Sequence, residues 1–435
     1  MKENKSHLFE AKSLFAPLGK DENEILENFD LIIQNIKSLS SKQLYKLPQE
    51  INDLSHLLTD DRSSRKKGYM NRNENLIPYT YYFMWWNLYR LSHLFAGFPS
   101  NAFDNLTDGD YCLDLGSGPL TVVIALYLSR PELRGKKLTW YCLDTSSNAL
   151  SLGEELFLSI CARLSNTSFE PWQIIKIKGD MNTNINHKAK FVTCANMFNE
   201  LYYDTSMSLE EATKKYTANT LDFCVKNENS DFPSILIIEP AFPRSSRFIS
   251  LTRDALIRKG FYPVAPCPHT QKCPMDGHRG GKWCHFVLET NLPSNNLSAK
   301  TVSSGVLTNN SLSANSLSAP KKLLKLSEKS DLPKDRASVS FIFAKKMPNL
   351  QENSHSSTTS LLQLRIASDK IFIPHEKGGN RFAFYACSEI GLVLAENLPK
   401  STKSGDLIEK TVETKNPNSK NFPIDKKSGA KIISF

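Results

Sequence analysis

At residues 111–119 the chain reads Tyr111-Cys112-Leu113-Asp114-Leu115-Gly116-Ser117-Gly118-Pro119. An apolar strand, an acid and two glycines thus precede a helix that is predicted to begin near Pro119. Gly116 permits a tight turn, and Gly118 lets the backbone approach a ligand that the free N–H groups of the helix would face. The stretch predicts a cofactor site at the end of a buried strand.

A second apolar run, 138–143, ends at Asp144, whose carboxylate can accept hydrogen bonds from both hydroxyls of a ribose. The acid before the first glycine favours S-adenosylmethionine over a dinucleotide, as does Thr121 at the place of a third glycine. A further acid, Asp180, follows the third strand and is expected near the adenine amino group. The predicted cofactor-binding residues are Asp114, Gly116, Ser117, Gly118, Asp144 and Asp180. The alternative is that the three acids only cap loops and helices.

Beyond residue 110, apolar runs alternate with helical stretches, which is typical of an α/β fold with buried parallel strands. We predict a Rossmann-like class I S-adenosylmethionine-dependent methyltransferase fold, with an N-terminal helical region and a small β-rich C-terminal domain. The predicted divisions are 1–105 (helical), 106–290 (Rossmann-like, with a cysteine metal loop at 267–284), 291–335 (a disordered Asn/Ser-rich insertion) and 336–435 (β-rich).

The formal charge of +9 comes from the C-terminal third, where residues 291–435 hold 21 basic and 12 acidic side chains. Such an excess suits a polyanion such as RNA, and the alternative is a merely solvated tail. No apolar run is long enough to span a membrane. The first residues lack the apolar core of a secretion signal and carry acids that a transit peptide avoids. A cytoplasmic protein with no membrane partner is expected.

The fourth predicted strand leads into Ala195-Asn196-Met197-Phe198-Asn199-Glu200-Leu201, where methyltransferases often place residues that face the methyl acceptor. Asn199 and Glu200 are the candidate catalytic residues. The segment lacks the Asn-Pro-Pro-Tyr or Asp-Pro-Pro-Tyr pattern of amino-group methylation, and no cysteine motif indicates methylation of a base carbon. Whether methyl transfer occurs is left open by these residues.

A metal site is indicated by Cys267, Cys273 and Cys284, which lie among prolines, glycines and histidines within eighteen residues. Glycines let a loop fold around an inorganic centre, and the cysteine spacing is not that of common zinc knuckles. A 4Fe-4S cluster needs a fourth ligand, for which Cys387 is the best candidate.

Zinc is the alternative metal. It would be bound by the same three cysteines together with His269 or His285.

With both constellations in view, the chain resembles the methyltransferase-like family of small ribosomal subunit proteins, whose mitochondrial members act in small-subunit assembly and translation. The resemblance covers roughly 60–290 and the strands after the insertion. It rests on Leu113-Asp114-Leu115-Gly116-Ser117-Gly118-Pro119, Asn199-Glu200-Leu201, Ile238-Glu239-Pro240, Cys267-Pro268-His269, Cys273-Pro274 and Trp283-Cys284-His285-Phe286.

The family resemblance implies an iron-sulfur cluster held by Cys267, Cys273, Cys284 and Cys387, and binding to small-subunit ribosomal RNA. A bacterial-type, cytoplasmic member fits better than an organellar one, and we expect a monomer off the ribosome. The preferred function is a factor that docks on the small subunit to support its assembly or translation, with cofactor and cluster holding its shape. The rival is an active methyltransferase for ribosomal RNA or another acceptor.

Overall fold

The computed structural model describes residues 12–60, 68–164, 170–201, 206–226, 232–278, 281–290, 319–332, 334, 336–347, 359–374, 380–413 and 422–435. Most of the Asn/Ser-rich insertion, 291–318, lies outside the described residues. Among those that are described, no helix combines the length and apolar character that crossing a membrane requires.

Helices dominate the first hundred residues and then alternate with strands. They are α1 (Lys20–Glu27), α2 (Phe29–Ile36), α3 (Ser41–Thr59), α4 (Asn73–Pro78), α5 (Met84–Ala96), α6 (Thr121–Ser129), α7 (Pro131–Arg134), α8 (Ser147–Arg163), α9 (Phe198–Leu201), α10 (Leu209–Asp222), α11 (Pro243–Arg258) and α12 (Lys321–Lys329). A π-helical turn, Tyr79–Phe83, joins α4 to α5, and short 3-10 turns lie at Tyr69–Asn71 and Ser100–Phe103.

The strands form two separate sheets. They are β1 (Tyr111–Leu115), β2 (Thr139–Asp144), β3 (Gln173–Lys178), β4 (Phe191–Ala195), β5 (Ser234–Glu239), β6 (Phe261–Ala265), β7 (Phe286–Glu289), β8 (Arg336–Lys346), β9 (Thr359–Ile366), β10 (Ile371–Pro374), β11 (Asn380–Ser388), β12 (Gly391–Glu396), β13 (Leu407–Glu413) and β14 (Lys431–Ser434).

The larger sheet has eight strands in the order β3-β2-β1-β4-β5-β8-β6, with β7 also paired to β8. Strands β1 to β5 run parallel, whereas β8 is antiparallel to both β5 and β6. The order 3-2-1-4-5 is that of a doubly wound α/β sheet, in which ligands bind beyond the carboxyl ends of the strands. The predicted Rossmann-like class I methyltransferase fold, with an N-terminal helical region and a β-rich C-terminal part, is confirmed.

Burial on both faces explains why the central strands are continuous apolar runs. Helix α6 is buried along its whole length and packs against α5 of the N-terminal region. Phe191 of β4 is fully buried and contacts rings from three other parts of the chain, namely Phe103, Trp140 and Phe343. The N-terminal helices are therefore packed onto the sheet and share its core.

Two local predictions were wrong. The helix after the glycine turn begins at Thr121, and Pro119 lies before its N-cap residue, Leu120, which has a left-handed φ of 57°. Part of the segment predicted as disordered, 291–335, contains helix α12, because Leu323 buries on one side while its lysines stay exposed. The low-complexity composition concealed this amphipathic spacing.

Strand β8 lies in the first sheet, although the sequence predicted 336–435 as one β-rich C-terminal region. Its partner β7 stands just before the insertion, and Phe286 pairs with Val339 just after it. The insertion thus joins two neighbouring antiparallel strands, where extra loop length has a small entropic cost. The second sheet has the order β13-β9-β11-β12-β14, with β10 paired to β11.

Candidate functional site

The glycine turn after β1 has the conformation that its sequence predicts. Gly116 and Gly118 have φ values of 68° and 51°, a region that side chains other than glycine rarely adopt. A Cβ atom on Gly116 would also lie 2.9 Å from the Cβ of Met197, in the loop after β4. The turn therefore needs glycine both for its backbone and for close packing against the neighbouring loop.

Asp144, at the end of β2, holds this turn. Its Oδ2 accepts the Gly118 N–H at 2.8 Å, and its Oδ1 accepts the Ser146 N–H at 2.8 Å. Burial raises the pKa of Asp144, and these N–H groups oppose the rise. A carboxylate offers about four lone-pair positions, and the Ser146, Gly118 and Thr145 N–H groups use three of them, so Asp144 keeps room for a hydroxyl donor.

Asp114 lies below the turn, fully buried at the end of β1. Its Oδ1 accepts the Thr193 hydroxyl at 2.7 Å, whereas its buried Oδ2 has no hydrogen-bond partner among the described residues. Burial raises the pKa of Asp114 to about 7. An unsatisfied buried acceptor is costly, so this oxygen can accept a hydrogen bond from a bound molecule.

The other two predicted cofactor residues have local partners. Ser117 is buried, and its hydroxyl donates to the Asp114 carbonyl at 2.8 Å. Asp180 follows β3, is exposed, and accepts the Asn182 N–H at 2.9 Å. Asp114, Asp144 and Asp180 thus follow or end three neighbouring parallel strands, on one edge of the sheet, while Asp180 also caps its own turn.

The candidate catalytic residues lie in the short helix α9, which follows β4 on this edge of the sheet. Asn199 is buried and donates through Nδ2 to the Asn196 carbonyl at 2.7 Å, so its side chain shapes the loop. Glu200 is half-buried and accepts the Tyr69 hydroxyl at 3.0 Å. The N-terminal region therefore contributes a residue to this site, a contact across 131 positions that no local pattern indicates.

Glu239 at the end of β5 supports the same loop and was not among the predicted site residues. It is fully buried and accepts the backbone N–H groups of Phe198 at 2.9 Å and Asn199 at 3.1 Å. Burial raises its pKa to about 8. Its signal in the sequence was an acid directly after an apolar run, Ile238-Glu239-Pro240, as at Asp144.

These raised pKa values predict a pH dependence of stability. The folded chain keeps a proton on Glu239 up to about pH 8, whereas the unfolded chain loses it near its ordinary value of 4.5. The free energy of unfolding should therefore fall between these limits, by at most about 1.4 kcal/mol for each pH unit, and then level off. Urea unfolding at several pH values measures the free energy of unfolding as a function of pH. The slope of this dependence should be shallower for Glu239→Gln than for the wild type. The exposed control Glu155→Gln should keep the wild-type slope, and equal slopes in all three proteins would contradict the assignment.

The four predicted cysteine ligands occupy one buried region between the two sheets. Cys267 and Cys273 are buried in the loop after β6, Cys284 is half-buried just before β7, and Cys387 is buried in β11 of the second sheet. Burial, followed by the charges of Cys273 and Cys267, raises the pKa of both Cys284 and Cys387. The fold thus brings Cys387 from a distant strand into the electrostatic range of the other three thiols.

The two candidate histidines differ in position. His269 is buried, and its Nε2 lies 3.0 Å from the Cys387 sulfur. His285 stacks on Trp283, and its Nδ1 lies 3.1 Å from the Trp283 carbonyl. Within the described part of the chain, no three or more His, Cys, Asp or Glu side chains are gathered closely enough to hold a metal ion.

Comparison with protein families gives one match. Residues 108–310, a little under half of the chain, match the family described as mitochondrial small ribosomal subunit Rsm22. The search of curated proteins found no match.

Several solved structures are similar to the chain. They include a proposed RNA methyltransferase from Pyrococcus horikoshii (12% identity, 68% of this chain and 98% of that chain, TM-score 0.30). Another is a proposed class I S-adenosylmethionine-dependent methyltransferase from Listeria monocytogenes (10% identity, 77% and 90%, TM-score 0.31). A third is an S-adenosylmethionine-dependent methyltransferase from Geobacter sulfurreducens in complex with S-adenosyl-L-homocysteine (15% identity, 49% and 72%, TM-score 0.25). At such TM-scores the strand order, and not these likenesses, identifies the fold.

Proposed function

We propose that this chain, whose residues 108–310 match the family described as mitochondrial small ribosomal subunit Rsm22, is a methyltransferase-like factor that binds the small ribosomal subunit and supports its assembly or translation. The family match is the observation that carries the proposal. The basic excess of residues 291–435 supports ribosomal RNA as the partner, since Lys and Arg neutralise phosphates. Its cytoplasmic location and its monomeric state off the ribosome stay predictions from the sequence.

S-adenosylmethionine is the cofactor that the carboxyl edge of the first sheet suits. Asp144 would accept the ribose hydroxyls, and the turn at Gly116 and Gly118 would let the backbone approach. The Asp114 Oδ2 has no hydrogen-bond partner among the described residues, which supports cofactor binding here because a bound molecule could donate to it. When bound, the cofactor supplies an electrophilic methyl group.

For the cysteines we propose a 4Fe-4S cluster held by Cys267, Cys273, Cys284 and Cys387. The donor set supports it, because three buried thiols and the half-buried Cys284 thiol lie within electrostatic range of one another, which suits iron-sulfur chemistry. A cluster spreads its ligands more widely than one ion does, so it needs no tight gathering of three side chains. Zinc, with His269 beside Cys387 as a further donor, is the alternative.

Subunit binding is tested by sedimentation. Tagged full-length protein should migrate with small-subunit particles in a sucrose gradient at low salt, and the association should weaken steeply as salt is raised, because phosphate contacts release counterions. Particles stripped of the protein and then incubated with it should rebind it. A protein that stays at the top of the gradient even at low salt would refute the proposal.

Methyl transfer remains the second candidate function, favoured by the bond between Tyr69 and Glu200 at the acceptor edge. Glu200 would orient or deprotonate the acceptor, and Tyr69 would hold the Glu200 carboxylate in place. Transfer of labelled methyl groups to ribosomal RNA, compared with and without the gene, tests this candidate. Identical methylation in both strains would exclude ribosomal RNA as the acceptor.

A further inference from the structure

We propose that Arg253 and Arg365 form a pair of buried cations that stabilises the negative charge of the four-cysteine centre. Both side chains are almost fully buried, with residue exposures of 2% and 3%. They approach the cysteines from different parts of the fold, one from α11 and the other from β9. The inference rests on the proposed metal centre, but it concerns two residues that no sequence motif marks.

Arg253 contacts the first cysteine and its loop. Its Nε donates to the Cys267 sulfur at 3.1 Å, and its Nη2 donates to the carbonyls of His269 at 2.7 Å and Gln271 at 2.8 Å. The Arg253 guanidinium group thus places a positive charge beside the cysteines and also holds the backbone of the loop that carries Cys267. Its neighbour Asp254 is partly exposed and accepts from Nη1 at 2.6 Å, whereas the sulfur contact is made by Nε.

Arg365 approaches from the second sheet. It stands directly opposite Cys387 in the pairing of β9 with β11, so their side chains share one face. Its Nε donates to the Pro266 carbonyl at 2.9 Å, next to Cys267, and its Nη1 donates to the Gly405 carbonyl at 2.8 Å. Arg365 therefore joins the strand of the fourth cysteine to the loop of the first.

Charge explains why two arginines are placed here. A buried guanidinium is costly unless an anion or several acceptors compensate for it, and Asp254 and Asp406 are the carboxylates in range. Four neutral thiols would add no negative charge. Four thiolates around a 4Fe-4S centre in its oxidised state, or around zinc, keep an excess of two negative charges, and guanidinium groups beside them lower the electrostatic cost of burying that charge even with Asp254 and Asp406 in range.

The pair has a measurable consequence for a redox-active centre. One-electron reduction adds a negative charge to the cluster, and nearby cations and N–H donors favour the reduced form. Removing either cation should lower the midpoint potential. We expect a shift of about tenfold in the reduction equilibrium for each replacement, or about 59 mV for a one-electron couple.

The experiment compares Arg253→Gln and Arg365→Gln with Arg253→Lys and Arg365→Lys in the full chain, purified without oxygen. Iron, acid-labile sulfide and zinc are measured first, and the potential is then titrated with dithionite by electron paramagnetic resonance. The glutamine variants should show lower potentials, and the lysine variants should recover part of the shift. Arg130→Gln is the matched control, because Arg130 is also buried and its hydrogen bonds within the described part of the chain go to backbone carbonyls and Glu132.

Each outcome decides the proposal. Unchanged potentials in both glutamine variants overturn it. If a glutamine variant loses its iron, recovery by lysine supports a role for charge, and no recovery overturns it. If the wild type holds zinc without sulfide, the cluster is refuted but the arginines are still tested, since the glutamine variants should then bind zinc about tenfold more weakly than the control. A wild type with neither metal refutes the centre and the arginine pair together.

Discussion

The Cys387→Ala variant is expected to purify with under about a tenth of the wild-type metal, since a four-ligand centre that loses one thiolate opens to solvent and to chelators. Cys387 is the ligand that comes from the second sheet, whereas the other three belong to the segment after β6. Its loss should therefore also loosen the contact between the sheets. Iron, sulfide and zinc analysis after anaerobic purification measures the first effect, and limited proteolysis measures the second.

The matched control is Cys161→Ala, which removes an equally buried thiol from helix α8, away from the site. It should keep the full metal content. If Cys387→Ala also kept it, Cys387 would not be the fourth ligand. Replacement of His269, whose Nε2 lies 3.0 Å from that sulfur, would then test this histidine as the fourth ligand.

The Asp144→Ala variant is expected to bind S-adenosylmethionine at least about a hundredfold more weakly, because hydrogen bonds to a charged group contribute roughly 1.5–3 kcal/mol each. The variant loses the acceptor for the ribose hydroxyls. It also frees the Gly118 N–H, which the carboxylate holds at 2.8 Å, so the turn loses its preorganised shape. Isothermal titration calorimetry with S-adenosylmethionine or S-adenosyl-L-homocysteine measures the affinity.

A control for this variant lies at the opposite edge of the same sheet. Asp110 precedes β1 and pairs with Lys190 at 3.3 Å. Asp110→Ala should leave cofactor affinity within about twofold of wild type, since it lies far from the carboxyl edge. An equal loss in both variants would point to general destabilisation, which thermal unfolding would reveal. Unchanged affinity in Asp144→Ala would contradict the cofactor site.

Local chemistry made much of the first sheet predictable. The strands β1 and β2 lie within one residue of the apolar runs that predicted them, because strands buried on both faces must be apolar throughout. Helix α12 was missed because nine residues of amphipathic spacing lay beside a long polar repeat.

Contacts between residues that are distant along the chain could not be predicted from local sequence patterns. The bond from Tyr69 to Glu200, the support of Asn199 by Glu239 and the place of β8 in the first sheet each depend on how complete elements pack. The composition of the chain and the spacing of its residues do not indicate which distant residues the fold brings into contact.

The glycine turn and the acids that follow β1 and β2 were determined by the sequence alone, because backbone conformation and strand ends are local properties. The grouping of three cysteines was equally visible, since they are close along the chain. Only the tertiary structure brought Cys387 opposite Arg365 and set Arg253 against Cys267. The physical reason is that the charge balance of a buried site depends on distances in space, which the packing of two sheets decides.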